Sequence, residues 1–545
     1  LVGCSEPASE QETEVPAIAT NVPADEQELP EASEPKDGTY SAGAMGHNGP
    51  VAISVTIESG LITDVTMDEG AETVGIGTKA FEIVRDALVE RQSLAIDAIT
   101  SATVSRAAFV AAATDALTQA GADIDAMKAR TEEVLAPTDI ELNTDMLVIG
   151  GGLAGITSAL TAAESGANVV LVEKSTILGG CTARSVGVYQ AAGSAKQAAN
   201  GIEDSSAKFE QGLLAMNTSE LVEPDKLKLL AEKSNDGLEW MIDRGVQFND
   251  EFYYIHFYAP RDLSRAQYAI NGGGQMIEAL AEKLMGYENA SIYTDTRATE
   301  LLTDNGAVVG ALAADKYNNT ITINADAVVL ATGGFSNDDE LMARTSPFMT
   351  YRTSPNQNMG DGFRMAEAVG ADMIITPDTL TYMPYQLGGI VTTQSIGFQN
   401  PELLLIAPDG QRYGDEARYC FDRAGDVFAM GYDYEYAIVD QAFYETCATD
   451  VDNGIERSYA FKGETAEELA GKLGLDPAAF AAEIEQYNAY CDAGVDEEFG
   501  KPAEYLDKLE GTLYALKMTC CISETYSGPR VNNDAQVIST EGVAV

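Results

Sequence analysis

A short apolar run, a glycine-rich turn and an acid about twenty residues further on predict an α/β protein built on a Rossmann-like dinucleotide-binding sheet. Met146-Leu147-Val148-Ile149 reads as a strand buried on both faces. Gly150-Gly151-Gly152-Leu153-Ala154-Gly155 follows, then a helix with Ala159, Leu160, Ala162 and Ala163 on one face. Val169-Val170-Leu171-Val172 is a second buried strand, ending at Glu173. Each glycine of the spacing has its own role. Gly150 makes the tight turn, Gly152 lets a pyrophosphate approach the backbone, and Gly155 permits close helix–strand packing. The pyrophosphate then caps the positive end of the helix, and Glu173 is placed to hydrogen-bond a ribose hydroxyl. The glycine spacing alone is weak. Strand, helix and acid in register give it its meaning.

Before this core, Leu1-Val2-Gly3-Cys4 resembles a bacterial lipobox, in which the cysteine becomes the lipidated terminus, and residues 5–36 run Ser/Glu/Pro/Ala-rich without apolar periodicity. Together they predict a lipid anchor at Cys4 and a solvated tether over 1–36, hence a secreted lipoprotein held at the cell membrane. Val51, Ile53, Val55 and Ile57 alternate with smaller or polar residues, Ser59-Gly60 turns the chain, and Leu61, Thr63, Val65 and Met67 continue the period, giving a β-hairpin with one buried face. A helix is expected around Phe81 to Leu88, and a second from a Ser105 N-cap to Gly121. The charged stretch 122–142 reads as a linker. Further on, Ala327-Val328-Val329-Leu330 is another buried strand, preceded by a hairpin that turns at Tyr317-Asn318-Asn319.

With 545 residues and a 45% hydrophobic fraction, the chain can bury several cores. Acidic residues number 86 against 33 basic ones, a formal net charge of −53, which repels phosphate backbones and argues against nucleic acid as a partner. Seven cysteines without a Cys-x-x-Cys pair, and only His47 and His256, argue against zinc, the usual iron–sulfur spacings and c-type haem. Cys520-Cys521 read as ordinary thiols rather than a redox pair. No segment has about 18 uninterrupted apolar residues.

Several segments from 143 to 545 resemble the fumarate reductase/succinate dehydrogenase flavoproteins. Lys174 to Ser185 (KSTILGGCTARS) is similar to the segment in which a Gly-Gly pair and small hydroxylic residues, here Gly179, Gly180 and Thr182, pass beneath the isoalloxazine. Ala331-Thr332-Gly333-Gly334 and Asn358-x-Gly360-Asp361-Gly362 match two further signatures of that family. The resemblance implies non-covalent FAD, with Gly150, Gly152, Gly155, Glu173, Lys174, Gly179, Gly180, Thr182, Thr332, Gly333, Gly334 and Asp361 at the cofactor. It also implies an α+β capping domain at 379–506, inserted between two parts of the FAD domain, 143–378 and 507–545.

Residues 37–121 resemble a small α+β FMN-binding domain of respiratory flavoproteins, through Asp37-Gly38-Thr39-Tyr40, Gly75-Ile76-Gly77 and Asp97-Ala98-Ile99-Thr100-Ser101-Ala102-Thr103. In that family the last threonine is esterified to FMN phosphate, which implies covalent FMN at Thr103, close to a helix N-terminus. Ser101 stands where the motif usually has glycine.

The family's chemistry is hydride transfer from the flavin to one carbon of an activated C=C bond, with a positioned acid protonating the other. Asp409-Gly410-Gln411-Arg412-Tyr413-Gly414-Asp415-Glu416 is similar to the stretch that leads to this acid, but the expected arginine position is Cys420. Arg418, Tyr419 and Arg423 flank it as the available donors. Two carboxylate-binding histidine positions carry Met383 and Glu524. A glutamate facing a dicarboxylate is repulsive, so fumarate fits poorly; a larger enoate or enone, or one with a cationic group as in urocanate, fits better. The chain also stops at Val545, short of a further flavin-contacting segment in relatives, which marks it as a fragment of a longer protein.

The function expected is thus an extracytoplasmic reductase of an activated alkene in anaerobic respiration, with electrons passing from an external membrane or cell-surface donor through FMN to FAD. A ketosteroid-type dehydrogenase running the site backwards is one alternative. A flavin electron-transfer lipoprotein without a substrate of its own is the other.

Overall fold

The computed structural model describes residues 35–70, 72–100, 102–131, 136–216, 221–250, 265–345, 351–352, 357–376, 380–386, 401–418 and 420–545. Cys4 and the tether through residue 34 lie outside them, as do Ser101, His256 and Tyr419.

The expected hairpin is present as part of a three-stranded antiparallel sheet, β1 (Gly38–Met45), β2 (Pro50–Glu58) and β3 (Leu61–Glu69). Ser59 and Gly60 turn it with φ of 54° and 77°, the doubly left-handed turn that matches strand twist. Val51, Ile53, Val55 and Ile57 all face inward, onto α1 (Gly77–Arg91) and α2 (Thr103–Ala120), where Phe81 and Phe109 meet edge to face at 5.3 Å. Gly121 ends α2 in the left-handed conformation, as expected. The start differs. The N-cap position is Ala102, and Ser105 lies inside the first turn, where its hydroxyl donates to Glu72. A carboxylate 33 residues away in sequence has taken the group that a local reading assigns to capping. The stretch read as linker is also partly ordered: α3 (Ile124–Ala129) is capped by Asp123, whose carboxylate accepts from Ala126 N at 2.9 Å.

β4 (Asp139–Ile149) then leads into the second unit, where α4 (Leu153–Glu164) and β5 (Val169–Val172) follow. Its six-stranded sheet runs Ala290–Tyr293, β5, β4, Thr320–Leu330, Ala307–Asp315, Thr296–Asp304. The first four strands are parallel and the last two joins antiparallel. The run 327–330, expected to be a separate buried strand, is the end of the hairpin strand itself, with Ala327 exposed and Val328, Val329 and Leu330 only partly buried. One face of the sheet packs on α4 and the helix Gly272–Met285 through Ile156, Leu160, Ile277 and Leu280. The other buries Leu147, Ile149, Val170 and Ile323. Ile76, Ala80, Ile99 and Ala102 of the first unit belong to the same buried cluster as Ile156, Met276 and Ile277, so the two units share one apolar core.

A third sheet gathers Tyr351–Arg352, Leu380–Gln386, Leu404–Ile406, Tyr434–Val439 and Ala460–Gly463 around the long strand Leu513–Thr525. The helices Ala466–Leu473 and Pro477–Ala493 cover it through Leu469, Phe480 and Tyr487. Its central strand is drawn from the chain beyond residue 506 and leads back to the second unit at Thr525. Arg412, Glu416, Asp496 and Lys501 form a fully buried charge cluster here, with Arg412 donating to Glu416 and Asp496. Among the described residues, no helix is long and apolar enough to cross a membrane.

Candidate active site

A cavity of about 420 Å³ opens where β4, β5 and the strand Thr320–Leu330 end, the place where parallel sheets bind their ligands. The three motif glycines divide their work as the spacing predicts. Gly150 has φ 112°, and a methyl group on it would lie 2.3 Å from the carbonyl oxygen of Ala331; one on Gly155 would lie 1.8 Å from the carbonyl oxygen of Gly150. Gly152 has nothing closer than 3.9 Å, so its free face is the floor of the cavity. It is also the N-cap of α4, and no side chain caps it, which leaves the first N–H groups of that helix for a ligand. These residues fit a dinucleotide pyrophosphate.

Glu173, buried at the end of β5, accepts from Gly151 N and Ser175 N, both at 2.7 Å. Its carboxylate is thereby held rigid beside the glycine loop, and two of its roughly four lone pairs remain for a ribose. Lys174 lines the cavity too, but its ammonium is 2.5 Å from Asp361. Arg297, which no motif announces, meets the other oxygen of Asp361 at 2.5 Å. Burial works to raise the Asp361 pKa, yet the two cations outweigh it and hold the carboxyl below its ordinary value.

Gly180, Thr182, Thr332 and Gly333 line the same cavity. Gly155, Gly179 and Gly334 stand behind its surface: Gly179 N donates to Gly151 O at 2.8 Å, and a methyl on Gly334 would meet the Thr525 hydroxyl at 2.3 Å. That Thr525 oxygen also accepts from Phe335 N at 3.2 Å, joining the third sheet to the cavity wall. Ser527, Gly528 and Pro529, in the second part of the FAD domain but named by no motif, complete the wall.

Met383 and Glu524 sit on neighbouring antiparallel strands; Met383 pairs with Cys521, and Leu380 pairs with Thr525 next to Glu524. The side chains of Met383 and Glu524 lie outside what is described. Arg418 is exposed and pairs with Asp426 at 2.8 Å. Arg423 is buried, on the helix Cys420–Ala429, with its charge facing the buried Glu435. Neither arginine is among the residues lining the cavity.

In the first unit Thr103 is the exposed first residue of α2, so a phosphate esterified to it would lie against the free N–H groups of an 18-residue helix. Glu72 is the residue that sequence reasoning missed. It accepts from His47 N at 2.7 Å and from the Ser105 hydroxyl, and it packs against Gly46 and Gly77, which fixes the turn around Gly75-Ile76-Gly77 beside α2.

Comparison with known proteins agrees with this geometry. Residues 145–545 match the FAD binding domain family, and residues 46–118 match the FMN-binding domain family. Urocanate reductase of Eggerthella lenta is 30% identical over 97% of this chain and 89% of its own length. NADH:acrylate oxidoreductase of Vibrio harveyi is 27% identical over 93% of this chain but only 57% of its own. Among solved structures, the open conformation of a flavocytochrome c3 fumarate reductase superposes with a TM-score of 0.60 at 26% identity, covering 75% of this chain and 72% of that one.

Proposed function

Because the chain belongs to the FAD binding domain family and carries an FMN-binding domain beside it, we propose that it is an extracytoplasmic reductase of an activated C=C bond in an enoate or enone, with electrons entering through FMN. The observation that carries this reading is the joining of the cofactor cavity to the strand pair of Met383 and Glu524 through the Thr525–Phe335 hydrogen bond. Its likeness to reductases named for urocanate and acrylate supports the same substrate class. Bound FAD would supply the hydride. The chain's own task is to hold the alkene, exclude water and deliver a proton to the second carbon.

Gly152 and the N-terminus of α4 would hold the pyrophosphate, and Glu173 the ribose. Met383 and Glu524, in place of histidines, favour a substrate that is less anionic than a dicarboxylate or carries a cationic group. Arg418 and Tyr419 are the candidates for the proton donor. Arg423, buried and facing Glu435, suits a positioning role. Thr103 would carry FMN as a phosphate ester, and Cys4 a lipid that keeps the protein on the outer side of the membrane, near its electron donor.

The test is anaerobic mixing of the flavin-loaded protein with a reduced viologen and a panel of fumarate, urocanate, cinnamates and enones. Flavin reoxidation by urocanate or a cinnamate in preference to fumarate is expected. Reoxidation by none would sink the reaction and leave electron transfer without a substrate, while oxidation of a saturated ketone by an artificial acceptor would point to the dehydrogenase direction.

A further inference from the structure

The helix Gly272–Met285 begins with three glycines, and two of them touch different flavin units. A methyl group on Gly273 would lie 1.9 Å from the carbonyl oxygen of Thr182, on the short helix Gly180–Arg184 that lines the dinucleotide cavity. One on Gly274 would lie 1.9 Å from the carbonyl oxygen of Val74, and one on Gly75 would lie 2.8 Å from the carbonyl oxygen of Gly274. Backbone therefore meets backbone twice within two residues, once toward each unit. Val74 and Gly75 lead directly into the Gly75-Ile76-Gly77 turn that Glu72 holds against the first turn of α2, next to Thr103. Around the contact, Ile76, Ala80, Ile99 and Ala102 are buried against Met276 and Ile277. Such close approach without side chains between two units is what glycine permits and any other residue prevents.

We propose that Gly273 and Gly274 form a fixed joint between the two flavin sites and lie on the route by which reducing equivalents pass from the Thr103 side to the cavity at Thr182. This rests on the reading that FMN takes in electrons for FAD. Across the joint, two electrons leave reduced FMN, which is oxidised, and reduce FAD; the protons are released to water on one side and taken up from water on the other. The first unit is then a docked partner rather than a carrier swinging on a tether, because leaving the joint would expose the shared apolar core to water.

The experiment uses the full chain with both flavins, an FAD analogue of distinct absorption being exchanged into the non-covalent site. Gly274→Ala and Gly75→Ala press on the contact from opposite sides, so one serves if the other does not fold. Amide hydrogen exchange of residues 76–80 and 276–277, measured on the same two-flavin protein without any reductant, should accelerate about tenfold in either variant, as expected for an overpacked contact. Rapid mixing with a reductant of FMN should show passage to the FAD analogue slowed about tenfold or more, while direct photoreduction of that analogue is unchanged. Unchanged exchange in both folded variants would overturn the joint, and faster exchange with unchanged transfer would overturn the route. No alkene enters the experiment, so failure of the proposed reduction leaves it intact. Absence of any FMN-to-FAD transfer in the unaltered protein would overturn the electron-entry reading and the route together.

Discussion

Lys174 Nζ and Asp361 Oδ2 stand 2.5 Å apart although 187 residues separate them in the chain. With Arg297 on the other oxygen, one carboxylate ties the end of β5 to an edge strand and to the helix Asp361–Ala368. Replacing it by an amide leaves two cations without their anion beside the cofactor cavity. Asp361→Asn should lower unfolding free energy by about 2 kcal/mol, the range for hydrogen bonds to charged groups, and weaken FAD retention. Denaturant unfolding and flavin absorbance after gel filtration check both.

The glycine loop gives a sharper loss. An added methyl at Gly155 must displace the backbone carbonyl of Gly150, which would sit 1.8 Å away. Gly155→Ala is expected to cost roughly 1–3 kcal/mol of overpacking and to yield protein with little FAD. Gly152→Ala keeps the fold, having no neighbour within 3.9 Å, yet binds FAD more weakly. Circular dichroism together with the flavin-to-protein absorbance ratio separates the two outcomes.

Covalent attachment is tested at the first residue of α2. Thr103→Val should abolish the flavin fluorescence that survives denaturing electrophoresis and leave the releasable FAD in place; Thr103→Ser should retain both. Persistence of the fluorescent band in the valine variant would rule out an ester at this residue.

The donor assignment separates two arginines by burial. Arg418 pairs with Asp426 at the surface, a bond worth about 0–1 kcal/mol, so Arg418→Ala should leave stability nearly unchanged. If Arg418 delivers the proton, kcat falls by roughly 10²–10⁴. Arg423→Met removes a buried cation that acts on the buried Glu435 and should lower stability, part of it recovered when Glu435→Gln is added. Denaturant unfolding beside steady-state kinetics distinguishes them.

Strong acid should weaken the third sheet. Burial works to raise the Asp496 pKa, but Arg412 and the N–H groups of Lys501 and Phe499 prevail and bring it down to about 2 from an ordinary 3.8. A carboxyl lowered on folding stabilises fully above its unfolded pKa and loses that contribution as pH falls through the folded value. The stabilisation should therefore fade between pH 3.8 and about 2. Asp496→Asn, measured by thermal unfolding across that window, should flatten the dependence.

Much of the architecture was readable wherever a local pattern decides the outcome. The alternation from Val51 to Met67, the turn at Ser59-Gly60, the stop at Gly121 and the buried runs at 146–149 and 169–172 are all short-range signals, and each element stands where it was expected. What escaped depends on partners remote in sequence. Residues 139–142 belong to the stretch read as a charged linker, yet they are strand because Thr320 to Ile323 pair with them in parallel register. Ser105 loses its capping role to Glu72. Arg297 has no motif around it, and only the folded sheet brings it to Asp361.

The cavity wall draws on residues near 150, 180, 297, 332, 361 and 528. Ser527, Gly528 and Pro529 come long after the glycine loop in the chain, and the strand leading to them is the centre of another sheet. Flavin capture thus waits on long-range folding: a polypeptide made only as far as its middle presents the glycine loop but no enclosure. Bound flavin colour would then report that segments remote in sequence have come together, and not merely that the glycine loop has formed.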